Sequence, residues 1–139
     1  MKSSFFVIAV ATLMISLNSC SNDSSSNSSG GANLLSLKAD GATYTCNKVS
    51  VEEWGGNVYV DGYFSSGEYI YFSIPSAATG NVIDNGVITP AGGNNVFPSS
   101  STSNVTLNNG HAVKGTFKWT FKQSSGGPEL VDGTFNLSY

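Results

Sequence analysis

Between residues 112 and 122 two kinds of side chain alternate without a break. Val113, Gly115, Phe117, Trp119 and Phe121 take the odd positions, and Lys114, Thr116, Lys118, Thr120 and Lys122 the even ones. Only an extended strand sends successive side chains to opposite faces, so this run is a strand with one apolar and one solvated side. The run 130–139 repeats the device with Val131, Gly133, Phe135, Leu137 and Tyr139. The stretch between them, 123–129 (QSSGGPE), is turn material. Matching the apolar faces puts Phe121 by Val131, Trp119 by Gly133 and Phe117 by Phe135, with the indole covering a bare glycine. A slip of one residue would drive lysines into the core, so the register of this hairpin is expected to be well specified.

A second hairpin is legible at 57–74. Val58, Val60, Gly62 and Phe64 alternate with Tyr59, Asp61 and Tyr63; beyond a turn, Ile70, Phe72 and Ile74 alternate with Tyr69, Tyr71 and Ser73. A three-residue loop, Ser65-Ser66-Gly67, keeps both faces in phase and puts Gly67 at the left-handed position such loops need. Tyr63 then falls beside Tyr69, and Asp61 beside Tyr71. Weaker runs at 34–38, 43–51, 81–89 and 104–107 are separated by Asp40-Gly41, Asp84-Asn85-Gly86, Gly92-Gly93 and Asn108-Asn109-Gly110. No stretch after residue 20 has a helical period. The expected fold is all-β: an antiparallel β-sandwich or flattened barrel of about seven or eight short strands.

The start of the chain has a different character. Met1-Lys2 is followed by thirteen residues, 5–17 (FFVIAVATLMISL), that are apolar but too few to span a bilayer as a helix, which takes about 20. A positive start and a short apolar run read as an export signal over 1–19. Leu17-Asn18-Ser19-Cys20 resembles the bacterial lipobox, which implies cleavage before Cys20, a diacylglyceryl group on its thiol and a further fatty acid such as palmitate on the new N-terminus. The expected organisation is a removed lipoprotein signal peptide (1–19), a lipidated cysteine with a Ser/Asn/Gly-rich tether (20–32), and a single β-domain (33–139). Residues 21–32 (SNDSSSNSSGGA) carry no large apolar side chain and cannot build a core. Ser21 is not the aspartate of an inner-membrane retention signal, and Cys20-Ser21-Asn22-Asp23 resembles a weak form of the acidic surface-export tag of Bacteroidota lipoproteins. The outer membrane is the expected address, on either its periplasmic or its cell-surface side.

Charge narrows the partners. Only 11% of the 139 residues are charged, and the net charge is −3. Loss of 1–19 removes Lys2 and leaves five lysines against nine acids. No arginine and no basic stripe are present, so nucleic acid is not an expected partner. The membrane is one partner, reached through the lipid on Cys20; a glycan or an envelope protein is the other.

Catalytic chemistry finds little to work with. His111 is the only histidine and sits in the Asn109-Gly110-His111 turn. Cys46 is the only thiol once Cys20 is modified, so no disulfide forms within the chain, and it reads as a small buried strand residue rather than a nucleophile. One histidine and one cysteine cannot make a zinc site. Glu52-Glu53 would point to opposite faces in a strand or both be solvated in a turn, Asp61 has no second acid placed opposite it, and Asp84-Asn85-Gly86 lacks the further acids of a calcium loop and reads as a tight turn. No catalytic residue, metal ligand or cofactor is expected.

The feature suited to recognition is the tyrosine face: Tyr59, Asp61, Tyr63, Tyr69 and Tyr71. Tyrosine offers an apolar ring and a hydroxyl, which suits sugars and peptides alike. The same face could instead pack inside the sandwich or beneath the 81–104 connection. Lys114, Lys118 and Lys122 form a solvated outer face that discourages edge pairing.

Leu37-Lys38-Ala39-Asp40-Gly41, the glycine-rich middle around Thr79-Gly80, and two Gly-Thr-Phe triplets, the second within Asp132-Gly133-Thr134-Phe135-Asn136, make a recognisable set. It resembles a family of small Bacteroidota lipoproteins catalogued only as a domain of unknown function. The resemblance spans most of 34–139 and implies an all-β domain behind a lipid anchor, with no catalytic residues to carry over. The expected function is that of a non-enzymatic cell-envelope lipoprotein binding glycan or protein through the aromatic face. The alternatives are a structural or interaction subunit of an envelope complex without its own ligand and, remotely, an envelope hydrolase.

Overall fold

The alternating runs become strands in the computed structural model, which describes residues 33–83, 85–122 and 129–139. The expected signal segment, Cys20, the expected tether, Asp84 and residues 123–128, where a turn was expected, lie outside the described residues. In chain order the strands are β1 (Leu34–Ala39), β2 (Ala42–Thr45), β3 (Lys48–Trp54), β4 (Asn57–Tyr63), β5 (Tyr69–Pro75), β6 (Asn85–Thr89), β7 (Ser100–Asn108), β8 (Ala112–Thr120) and β9 (Leu130–Ser138). They form two antiparallel sheets, one in the order β2-β1-β9-β8-β7 and the other β3-β4-β5-β6. The domain is therefore an open two-sheet sandwich, not a closed barrel.

Among the described residues nine strands appear where seven or eight were expected, because the single run 43–51 is two strands in two sheets. The N–H of Cys46 bonds the Leu35 carbonyl of the first sheet at 2.9 Å, and the next N–H, of Asn47, bonds the Tyr63 carbonyl of the second at 2.9 Å. Cys46 thus sits at the corner between strands, half-buried, rather than within a strand. Asn85 and Gly86 begin β6 instead of forming the expected tight turn. Residues 80–83 leave the second sheet and dock on the edge of β7. Gly80 and Val105 exchange backbone bonds of 2.8 and 2.9 Å, and the Ser103 hydroxyl accepts the N–H groups of Val82 and Ile83 at 2.9 and 3.0 Å. Serines in β7 therefore do edge-covering work that a packing pattern would not reveal.

The hairpin at 57–74 has the expected pairing: Tyr63 with Tyr69, Asp61 with Tyr71, and Val60 with Phe72. Gly67 takes φ +98°, and Phe64 and Glu68 close the three-residue loop. The C-terminal hairpin keeps the expected faces but is shifted by two residues. Trp119 pairs with Val131, Phe117 with Gly133 and Gly115 with Phe135. The two Gly-Thr-Phe triplets therefore lie against each other, Thr116 facing Thr134, and each phenylalanine covers the other triplet's glycine. A Cβ on Gly133 would stand 2.0 Å from Phe117 Cζ, and one on Gly115 2.8 Å from Phe135 Cζ. This reciprocal filling, together with the Phe121 N–H bond to the Glu129 carbonyl at 2.9 Å, fits the shifted register better than the indole-over-glycine arrangement.

Trp119 finds a different glycine. It packs across the sandwich on Gly86, where a Cβ would come within 2.2 Å of the indole. Phe72 reaches from the second sheet into the ring cluster of the first, with centroids 5.3 Å from Phe117, 5.4 Å from Phe135 and 6.3 Å from Trp119. Such pairs contribute about 0.5–1.5 kcal/mol each beyond area burial. Buried Asn108 closes one end: its amide donates to the Pro75 and Ala78 carbonyls at 2.9 and 3.1 Å, and its Oδ1 accepts from the Tyr139 hydroxyl at 3.3 Å. At the same end Asn33, just before β1, is tied to Ser138 at the close of β9, the Ser138 N–H donating to Asn33 Oδ1 at 2.7 Å.

Candidate functional site: an aromatic sheet face with a walled cleft

With Val58, Val60, Ile70, Phe72 and Ile74 committed to the core, the intervening residues of β4 and β5 must face outward. Tyr59, Asp61, Tyr63, Tyr69 and Tyr71 accordingly come together on the solvent side of the four-stranded sheet. Tyr63 is 41% exposed and the other four are half-buried by one another. Tyr59 and Tyr71 lie 6.3 Å apart with planes inclined 23°, and Tyr63 and Tyr69 are 5.2 Å apart. The Tyr69 hydroxyl donates to Asp61 Oδ1. Burial first, and then that bond and the carboxylate's charge, hold the Tyr69 phenol well above its ordinary range. Tyr71 is raised as well, by burial and then by Tyr59 and Asp61. Both phenols keep their protons at neutral pH, so the face presents hydroxyl donors beside one carboxylate acceptor.

Two aromatic residues join this face that the sequence reading did not include. Trp54, at the end of β3, is 65% exposed and stacks on Tyr59 at 5.0 Å and 21°. The signal was present: Lys48, Ser50, Glu52 and Trp54 continue the outward parity opposite β4. Phe97 had no such signal, because it lies outside any alternating run. It reaches the site through a fold-back of the chain after β6. Gly93 closes a turn on the Pro90 carbonyl at 2.9 Å, Ile88 and Val96 exchange backbone bonds of 3.0 and 2.8 Å, and Thr89 Oγ1 donates to Asn95 Oδ1 at 2.8 Å.

The fold-back raises a wall beside the tyrosines. Between them lies a cleft of about 470 Å³ lined by Tyr69, Tyr71, Asn85, Val87, Asn95, Phe97 and Pro98. That volume falls within the roughly 300–1,000 Å³ typical of ligand sites. Val87 points to the solvent side of the sheet yet is only 7% exposed, because the wall covers it, while Phe97 on the wall is 69% exposed. The tyrosine face is thus outside the sandwich, and only its β6 margin is covered by the connection.

The remaining candidates stay apart from this face. His111 is exposed in its turn. Burial pushes the Cys46 thiol up to about 12, so it stays protonated at neutral pH, which does not suit a nucleophile. Glu52 faces outward beside Tyr59, and Glu53 takes the alternate parity opposite Val58. On the other sheet Lys118 lies 3.6 Å from Asp132 in an exposed pair worth about 0–1 kcal/mol. Among the described residues no group of three or more His, Cys, Asp or Glu side chains converges to hold a metal ion. No protein-family model matches the chain, and no curated protein matches it.

Proposed function

We propose that this chain is an outer-membrane lipoprotein, anchored through acyl chains on Cys20, whose sandwich is a non-enzymatic binding head that uses the aromatic face of the four-stranded sheet. The observation that carries the binding reading is the row of Trp54, Tyr59 and Tyr71 on the solvent side, ending at a walled cleft. Large aromatics left outside a well-filled core are costly to keep in water and are the usual anchors of recognition surfaces. The lipobox-like sequence and the Ser/Asn/Gly stretch before Asn33 support the anchor, and the paired Gly-Thr-Phe triplets support kinship with the small Bacteroidota lipoproteins they resemble.

Two measurements test this. Cys20→Ala is expected to abolish labelling by a fatty-acid probe and to move the protein to the soluble fraction, since two or three acyl chains at about 0.8 kcal/mol per buried CH₂ supply the whole attachment. A labelled, membrane-bound variant would refute the anchor. Tyr71→Ala is expected to change stability by less than about 1 kcal/mol while weakening capture of the partner by about 2 kcal/mol or more. A loss of about 3 kcal/mol in stability would instead make the ring a packing element.

A further inference from the structure

We propose that the occupant of the aromatic face is an uncharged glycan chain lying across the strands, from Trp54 over Tyr59 and Tyr71 into the cleft under Phe97. This rests on the reading of that face as the binding site.

Direction is the first argument. Trp54, Tyr59 and Tyr71 stand on three neighbouring strands, β3, β4 and β5, and the cleft opens over the fourth, β6. The ring centroids are 5.0 and 6.3 Å apart, and the register sets each ring two residues along the ladder from the last, Trp54 opposite Asn57, Tyr59 opposite Ser73 and Tyr71 opposite Asp61. A ligand that follows the rings therefore crosses the strands obliquely rather than running along any one of them. A peptide adding to a sheet runs along an edge strand and pairs with its backbone, whereas these rings stand on the face of the sheet, and the β6 edge beside the cleft already pairs with Val96.

The second argument is the company the rings keep. A sugar ring offers a C–H face to an aromatic ring and hydroxyls at its rim, so it needs polar partners between apolar plates. Asp61 and Ser73 lie among the tyrosines, and Asn85 and Asn95 line the cleft. The Thr89 hydroxyl holds Asn95 Oδ1, which fixes the amide and leaves its NH₂ out of that bond. The outward positions of the four strands carry two aliphatic residues, Val87, which the wall already buries, and Pro75 at the end of β5. Protein-binding patches exclude charge from their centre, whereas this face centres on a carboxylate.

Charge selects among glycans. Asp61 lies mid-face and Glu52 faces Tyr59 across the ladder. Lys48 lies over Tyr63, 5.7 Å from its centroid, on the edge strand away from the cleft. Uronates and sulfated sugars would meet two carboxylates along the row, in a chain of net charge −3.

The test uses the full lipidated protein in detergent micelles, an array of neutral oligosaccharides of varied linkage, and uronate and sulfated counterparts. The two tryptophans separate cleanly, Trp54 facing water and Trp119 fully buried, so acrylamide quenches Trp54 selectively. Saturable binding of a neutral glycan that shields Trp54 from acrylamide is expected. Trp54→Ala, Tyr71→Ala and Asn95→Ala should each weaken that binding about tenfold or more, as anchor residues do, and Lys118→Ala on the other sheet should leave it unchanged. Tighter binding of uronate or sulfated glycans overturns the proposal, as does neutral-glycan binding insensitive to the three variants. If no glycan binds but a protein partner is captured in a Tyr71-dependent way, the glycan proposal fails and the binding face survives. If neither is captured, both fail.

Discussion

Trp119→Ala is expected to destabilise the domain by about 3–5 kcal/mol, the range for emptying a buried large aromatic site. The indole has no exposed surface, packs on the bare backbone of Gly86, and touches the ring cluster through Phe117 at 4.4 Å and Phe72 at 6.3 Å. On the opposite sheet Gly86 brings no side chain to fill the space. Total stability of a domain this size is about 5–15 kcal/mol, so the urea midpoint of the variant should fall steeply or vanish. Lys118→Ala, one residue away, removes only an exposed pair with Asp132 and is expected to cost less than about 0.5 kcal/mol. Comparable losses at the two positions would contradict the facing of β8.

Gly133→Ala is the second large effect, and it works by overfilling. The new methyl would lie 2.0–2.5 Å from three ring atoms of Phe117. That ring cannot swing away, since Phe72 at 5.3 Å and Trp119 at 4.4 Å hold it from other directions. A cost of about 3 kcal/mol, the upper part of the overpacking range, is expected in the same denaturation measurement. A double-mutant cycle identifies the contact: combined with Phe117→Leu, the glycine substitution should lose at least about 1 kcal/mol of its effect. Coupling to Trp119 in place of Phe117 would restore the indole-over-glycine register and overturn the observed pairing.

These two substitutions also mark where pattern stops determining structure. The alternation at 112–122 and 130–139 identified every inward residue of β8 and β9, because a two-residue shift leaves faces unchanged. It could not choose between registers two residues apart. The choice lay in the Gly-Thr-Phe triplets, whose mutual ring-on-glycine packing appears only when Thr116 is set against Thr134. The hairpin at 57–74 was fully legible because its loop is short and Gly67 fixes it. The division of 43–51 was missed although the phase breaks at the corner: Tyr44 and Cys46 hold even positions and Val49 and Val51 odd ones, a change of parity easily lost in so short a run. The site divides in the same way. Tyr59, Asp61, Tyr63, Tyr69 and Tyr71 follow from one hairpin register, and Trp54 follows from extending β3 by three residues. Phe97 and the cleft depend on a fold-back held by backbone bonds between Ile88 and Val96, which no side-chain pattern records.

The corner at Cys46-Asn47 has a mechanical consequence. Held at one point by the proposed lipid and at another by the proposed ligand, the head would carry tension between them. A pull from the N-terminal side enters at the first residues of β1, a strand clasped on both flanks by β2 and β9. The force must leave through the four-stranded sheet. The Leu35 carbonyl, beside the entry point, is bonded to Cys46, and the next residue is bonded to Tyr63 of the four-stranded sheet. Traction on the first sheet therefore reaches the second through a covalent step of one residue, in parallel with the side chains packed between them. The two layers are drawn along together, and neither has to slide over the other for the load to pass.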